Sequence, residues 1–185
     1  MLIMTRWDCL RAPQRYSKPI TSRTAQHIAS ILALHRVSGL HRDPAFLLCL
    51  ASGLLFLISL FVTFSPQPLP WERLWSLQFL SLMIWQPIIE ELFFRGLIQG
   101  QLRRLEWGRR SFIDISIANL LTSAMFVFAH LVSHSLAWSL LVLIPSLLFG
   151  LLRDRFESVY PSIVLHIFYN AGYFLLTGGL ILQHG

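Results

Sequence analysis

The chain has 185 residues, of which 55% are hydrophobic and 13% charged, and its formal net charge is +6. Soluble domains carry nearer ~25% charged residues, so the composition argues against an ordinary soluble enzyme and points to one compact membrane-embedded domain. The charge does not read as a nucleic-acid surface. Most basic residues fall in the first 43 positions and in Arg103–Arg110, where the cytoplasmic ends of membrane spans collect them. Two cysteines, Cys9 and Cys49, stand in unlike surroundings, so no disulfide framework or paired-cysteine metal site is legible. Cys49 is expected to pack as a small apolar residue.

In chain order, residues 1–43 form a basic leader without the sustained apolar core of a secretory signal. It reads as a cytoplasmic tail, with an organelle transit peptide as the other reading. Within it, "TAQHIASILALH" places Ile28, Ile31, Leu32 and His35 near one face, predicting a short interfacial helix. Ala45–Phe64 is free of charge and has the length that crosses a bilayer core. "SPQPLP" then breaks the helix. A second span starts near Trp71–Leu74 and runs to about Gln101, followed by the basic turn "RRLEWGRR". From Ile115 to Leu152 there is no Asp, Glu, Lys or Arg. That stretch is divided at "HLVSHSLAW" into a third span ending near Val132 and a fourth from about Leu136. "RDRFE" is expected as a loop. The fifth span starts at Ser158–Pro161, with Pro161 in the first helical turn.

With the N-terminus inside, segments 1–43, 102–111 and 153–157 are cytoplasmic and hold most of the Lys and Arg. The outer segments, 65–74, 133–137 and the C-terminal tail, carry only Arg73. The bias alternates as membrane topology requires. The expected fold is an all-α, polytopic membrane bundle of about five transmembrane helices with a cytoplasmic N-terminus. Residues 1–43 are its leader and 44–185 its bundle, and the functional core spans about 75–175. The expected location is multi-pass in a bacterial inner membrane.

Inside these spans the polar residues are few: Gln78, Gln86, Glu90, Glu91, Arg95, Asn119, His130, His166 and Asn170. Each ionisable group costs roughly 2–3 kcal/mol at mid-bilayer, so such groups face the bundle interior and mark a functional site. For Gln78 and Asn119, interhelical hydrogen bonding is the ordinary reading. Glu91 and Arg95 are four apart in the order that favours a helical ion pair. Glu90 lies ~140° around the helix from Arg95, so it is the less compensated carboxylate and the better general base or acid. Pro87 leaves the carbonyl of Met83 without a donor and is expected to kink the helix.

Phe126 and His130 share one face of the third span, and His166 and Asn170 one face of the fifth. A histidine and an asparagine one turn apart can aim two hydrogen-bond groups at one oxyanion. Depth is the difficulty. At ~1.5 Å per residue, Glu90 lies ~20 Å from Arg103 but His130 ~30 Å from Arg110. The two become level if Ser111–Ser116, with Asp114, forms a first helical turn or two standing outside the hydrocarbon.

At these residues the chain resembles the CAAX-protease-like and bacteriocin-processing (CPBP, or Abi) membrane proteases, relatives of the type II CAAX prenyl endopeptidase. The family pattern is EExxxR, FxxxH and HxxxN or HxxxD on successive helices. Here it reads Glu90-Glu91-Leu-Phe-Phe-Arg95, Phe126-Val-Phe-Ala-His130 and His166-Ile-Phe-Tyr-Asn170. The resemblance implies an intramembrane glutamic endopeptidase. In it Glu90 and His130 would activate water, His166 and Asn170 would hold the oxyanion, and Glu91, Arg95 and Phe126 would support them. No cofactor is expected. Were zinc bound, Glu90, His130 and His166 would be its ligands. Expected partners are membrane lipid and a membrane-anchored or tail-bearing protein substrate, with no nucleic acid. The compact size resembles the small bacterial members that process C-terminal sorting tails, including the JDVT-CTERM type. Two other readings compete: a non-catalytic membrane partner or immunity-type protein on the same fold, and a small proton-coupled transporter using Glu90, His130 and His166 as a relay.

Overall fold

A computed structural model describes residues 23–178. The leader up to residue 22, with Cys9, and the tail from residue 179 lie outside the described residues. The helices are α1 (Arg23–Ile31), α2 (Pro44–Phe64), α3 (Leu77–Leu102), α4 (Ile117–His130), α5 (Leu136–Phe156) and α6 (Tyr160–Thr177). Two short strands, β1 (Ser111–Phe112) and β2 (Ile115–Ser116), pair antiparallel between α3 and α4. The chain is therefore an all-α bundle. Three of its helices, α2, α3 and α5, are long and apolar enough to cross a membrane, and α4 is a shorter apolar helix of 14 residues.

α2 begins where the sequence predicts. Asp43 caps it by accepting the Phe46 amide at 3.0 Å, and Pro44 occupies the first turn, where its missing N–H costs nothing. Only Phe46, Cys49, Gly53 and Leu57 are buried along it, one stripe at helical spacing, while Leu48, Leu55 and Val62 are exposed. An oily helix with one packed stripe turns its other faces to lipid. The packed stripe meets α6. A Cβ on Gly53 would overlap the Tyr169 ring, and one on Gly172 would overlap Leu57, so each helix carries a notch for a side chain of the other. Cys49 lies in the apolar cluster with Phe46, Phe149, Leu152 and Leu165.

α3 departs from regular α geometry. It widens to π turns over Ser81–Trp85 and Leu92–Gln99, on either side of the α segment Gln86–Glu91. Such bulges concentrate at functional sites. α5 is offset at Val142, where Pro145 lacks the N–H that would bond the carbonyl of Leu141.

Two expectations need correction. Ser111–Ser116 is a hairpin and not the first turns of a helix. Ile113 and Asp114 adopt φ of 48° and 64°, the left-handed geometry of a tight hairpin turn, and Ser116 then caps α4 by accepting the Asn119 amide at 3.0 Å. α4 therefore starts at Ile117, and His130 lies ~20 Å along it. That matches Glu90 on α3, so the depth difficulty resolves by a shorter helix. Second, "RDRFE" is helical through Phe156, and the turn comes at Glu157 with φ 52°. Asp154 is held inside by three partners: Gln99 Nε2 at 2.7 Å, Ser116 Oγ at 2.5 Å and Arg103 Nη1 at 2.9 Å.

The predicted interfacial helix ends at Ile31, before Leu32 and His35. The following residues form a strap across the bundle: the Val159 amide donates to the Ala33 carbonyl at 3.1 Å, and Ser158 Oγ donates to the His35 carbonyl at 2.6 Å. Leu32 lies over Gly96 on α3.

Candidate active site

The α segment of α3 puts Glu90 and Glu91 on different faces. Glu91 is fully buried, with Arg95 Nε 3.3 Å from its Oε2. This contact is an ion pair without hydrogen-bond alignment. Arg95, also fully buried, is held further by Ser146 Oγ at 2.6 Å and by Ser123 Oγ and Gln99 Oε1 at 3.4 Å. Its guanidinium also lies 5.6 Å from the centroid of the Phe126 ring. A buried charge is tolerable only when paired and hydrogen-bonded in this way. Glu90 is partly exposed and accepts from Gln86 Nε2 at 2.9 Å, one turn earlier.

His166 on α6 meets both glutamates. Its Nδ1 is 2.9 Å from Glu91 Oε1 and its Nε2 is 3.7 Å from Glu90 Oε2. A carboxylate paired with arginine can only accept, so Nδ1 carries a proton, and Nε2 is the ring nitrogen left for other partners. Glu91 is thus shared between Arg95 and His166. The sequence reading anticipated the arginine and missed the histidine. The His166 ring stacks on Phe149 at 4.6 Å, which fixes its plane.

His130, at the end of α4, gives its Nδ1–H to the Phe126 carbonyl at 2.9 Å. The carbonyl has no proton to offer, so this bond sets the tautomer and leaves Nε2 with its lone pair. Phe126 packs against this ring at 4.4 Å, against Phe94 at 5.0 Å and against His166 at 6.1 Å, so it sits between the two histidines. Asn170, one turn after His166, donates from Nδ2 to the Leu82 carbonyl at 3.0 Å. Asn119 makes the interhelical bonds expected of it, to the Leu147 carbonyl and from Ser123.

Glu90, His130, His166 and Asn170 line one cavity of about 360 Å³ between α2, α3, α4, α5 and α6. Its other walls are mostly apolar and include Phe56 and Leu57 of α2. Among the described residues, no hydrogen bond or ion pair joins Glu90 to His130 directly; they share the cavity. Nor does any group of three His, Cys, Asp or Glu side chains converge as a metal set would. Of the donors named for zinc, His166 holds Nδ1 on Glu91 and His130 holds Nδ1 on the Phe126 carbonyl, and each keeps Nε2 for other partners.

Three features were not singled out from sequence. Gln99 follows Arg95 by four residues as Arg95 follows Glu91, a same-face signal that continues the buried polar row toward Asp154. His134, past the end of α4, stacks on His130 at 5.7 Å and lines the cavity. Burial holds its pKa below the usual histidine value, the neighbouring His130 adds to this, and Glu90 opposes it. The α2 wall carries no sequence signal, because that helix is apolar on every face.

Residues 72–172 match the family model described as type II CAAX prenyl endopeptidase Rce1-like. No curated protein and no solved structure matches the chain. The match takes in every residue of the three motifs and more than half of the chain. The protein therefore belongs to the type II CAAX prenyl endopeptidase Rce1-like family of integral-membrane proteases.

Proposed function

We propose that the protein is a glutamate-dependent intramembrane endopeptidase that hydrolyses a peptide bond in a membrane-associated protein tail. The observation that carries this reading is the convergence of Glu90, His130, His166 and Asn170, from three helices, on one largely apolar cavity. A water between Glu90 and His130 Nε2 loses a proton as it attacks the scissile carbonyl carbon. His166 in its doubly protonated form, with Nδ1–H kept on Glu91, then donates Nε2–H to the developing oxyanion, beside the second amide N–H of Asn170. Each such donor is typically worth about 3 kcal/mol in the transition state. The proton taken from water goes to the departing amine, and no metal is required by this scheme. Glu91, Arg95 and Phe126 position His166. The substrate class proposed is a membrane protein bearing a short hydrophobic sorting tail.

The test is co-reconstitution of the purified protein with a tail-bearing membrane protein in liposomes. Wild type is expected to release the tail. Glu90→Gln and His130→Ala are expected to insert normally and lose cleavage by ~10²–10⁴-fold. Normal processing by Glu90→Gln would overturn the assignment.

A further inference from the structure

The π turn before the motif creates a defect in α3. Within it, the Gln86 amide donates to the Ser81 carbonyl, five residues back. In that register the next donor, to the Leu82 carbonyl, would be residue 87, which is a proline. In the ordinary α register the donor would be Gln86, which is already committed to Ser81. The Leu82 carbonyl is therefore orphaned by its own helix. An unpaired carbonyl facing an apolar bundle is costly. Asn170 Nδ2, from α6, stands 3.0 Å from that oxygen.

We infer that Asn170 is a positioning residue that latches α6 to α3 by supplying the hydrogen bond Pro87 cannot make. The latch lies one turn from His166 on α6, and on α3 it lies one turn before Gln86, which holds Glu90. Together with the His166–Glu91 bond, it fixes both helices on either side of the glutamates. A primary amide has two N–H groups. One closes the defect and the other remains for the cavity, so the latch adds to the oxyanion role proposed above. Only the activity arm of the test rests on that protease reading.

Full-length protein in detergent is compared as wild type, Asn170→Ala, Pro87→Ala and the double variant, with Asn170→Ser and Pro87→Leu as substitutes for any that fails to fold. Pro87→Ala restores an N–H at position 87. Loss of Asn170 alone is expected to lower the thermal midpoint by about 3–8 °C, and most of that loss is expected to vanish in the Pro87→Ala background. Additive losses would overturn the latch. In cleavage assays of the tail-bearing substrate, kcat of the double variant is expected to recover at least ~10-fold over Asn170→Ala with KM unchanged, as restored geometry requires. A kcat that stays as low as in Asn170→Ala would overturn the positioning role. If wild type cleaves nothing, the protease reading fails and the thermal cycle still decides the latch.

Discussion

His166 Nδ1 lies 2.9 Å from Glu91 Oε1 while its Nε2 lies 3.7 Å from Glu90 Oε2, so one ring bridges neighbouring glutamates. The bridge divides their labour. Glu91 orients the ring from a fully buried position, and Glu90 stays at the cavity with one oxygen on Gln86. In the proposed mechanism, replacing His166 with alanine removes the Nε2–H that the doubly protonated ring gives to the oxyanion. Its expected effect is a ~10²–10³-fold loss in kcat with little change in KM, read from steady-state cleavage of the tail-bearing substrate.

The Glu91–Arg95 pair supports a stability prediction. Both side chains are fully buried, so removing one partner leaves the other charge without compensation. Glu91→Ala is expected to cost about 3–5 kcal/mol in chemical unfolding. Glu91→Ala with Arg95→Met removes both charges and is expected to cost less than Glu91→Ala alone. Equal or greater loss in the double variant would show that the pair is not what Arg95 is kept for.

Much of this arrangement was legible beforehand, for physical reasons that also mark where legibility ended. Glu90, Glu91, Arg95, His130, His166 and Asn170 stand out because charge and amides are rare in a hydrocarbon-length helix. The order Glu91 then Arg95 identified their pairing. What sequence spacing leaves open is contact between helices. Nothing in "HIFYN" tells which glutamate its histidine meets, and nothing told that Asn170 would close a gap at Leu82. The hairpin at Ile113–Asp114 was missed because its turn lacks the Asn-Gly or Asp-Gly signal of such turns. The π turns were missed because i+5 bonding leaves no mark in the hydrophobic period, although Pro87 hinted at an irregular helix.

Metal dependence has its own test. The zinc alternative would use Glu90 with the Nε2 atoms of His130 and His166. Their Nδ1 atoms are held by the Phe126 carbonyl and Glu91, as the second nitrogen of a ligating histidine commonly is. The mechanism proposed above needs no metal. Cleavage by purified protein is expected to survive exhaustive chelation, with no stoichiometric zinc by elemental analysis. Loss of activity that returns on adding zinc would show that these residues act around a metal.

Asp43 makes a pH prediction at the membrane edge. Arg155 reaches both its oxygens, with Nη2 2.7 Å from Oδ2 and Nε 3.2 Å from Oδ1. Burial alone would raise this carboxyl pKa. The Arg155 hydrogen bond, the Phe46 amide and the Arg155 charge outweigh burial and hold it below the ordinary 3.8. A carboxyl with a lowered folded-state pKa contributes stability that is fully present above its unfolded value and lost as pH falls through the folded value. The thermal midpoint in detergent should therefore change little through this group above about pH 5 and fall below about pH 4. Asp43→Asn should weaken that acid limb. An unchanged limb would mean Asp43 is not linked to folding.

The wall that α2 adds to the cavity depends on how closely it approaches α6. Tyr169 lies in the notch at Gly53, with its hydroxyl donating to the Cys49 carbonyl at 2.6 Å and 3.3 Å from Ser52 Oγ. A methyl at position 53 would meet the aromatic ring itself, so relief requires moving Tyr169 or separating the helices. Either movement breaks the bond to Cys49 and shifts Phe56 and Leu57, which face the cavity. Gly53→Ala is therefore expected to cost about 1–3 kcal/mol and, with α2 displaced outward, to raise KM more than it lowers kcat, because Glu90 and the His166–Glu91 bond are held between α3 and α6. Gly53→Ala with Tyr169→Leu, which gives a smaller and more flexible side chain, should regain part of the stability. If Gly53→Ala alone matches wild type in unfolding and in KM, α2 does not shape the cavity in the membrane.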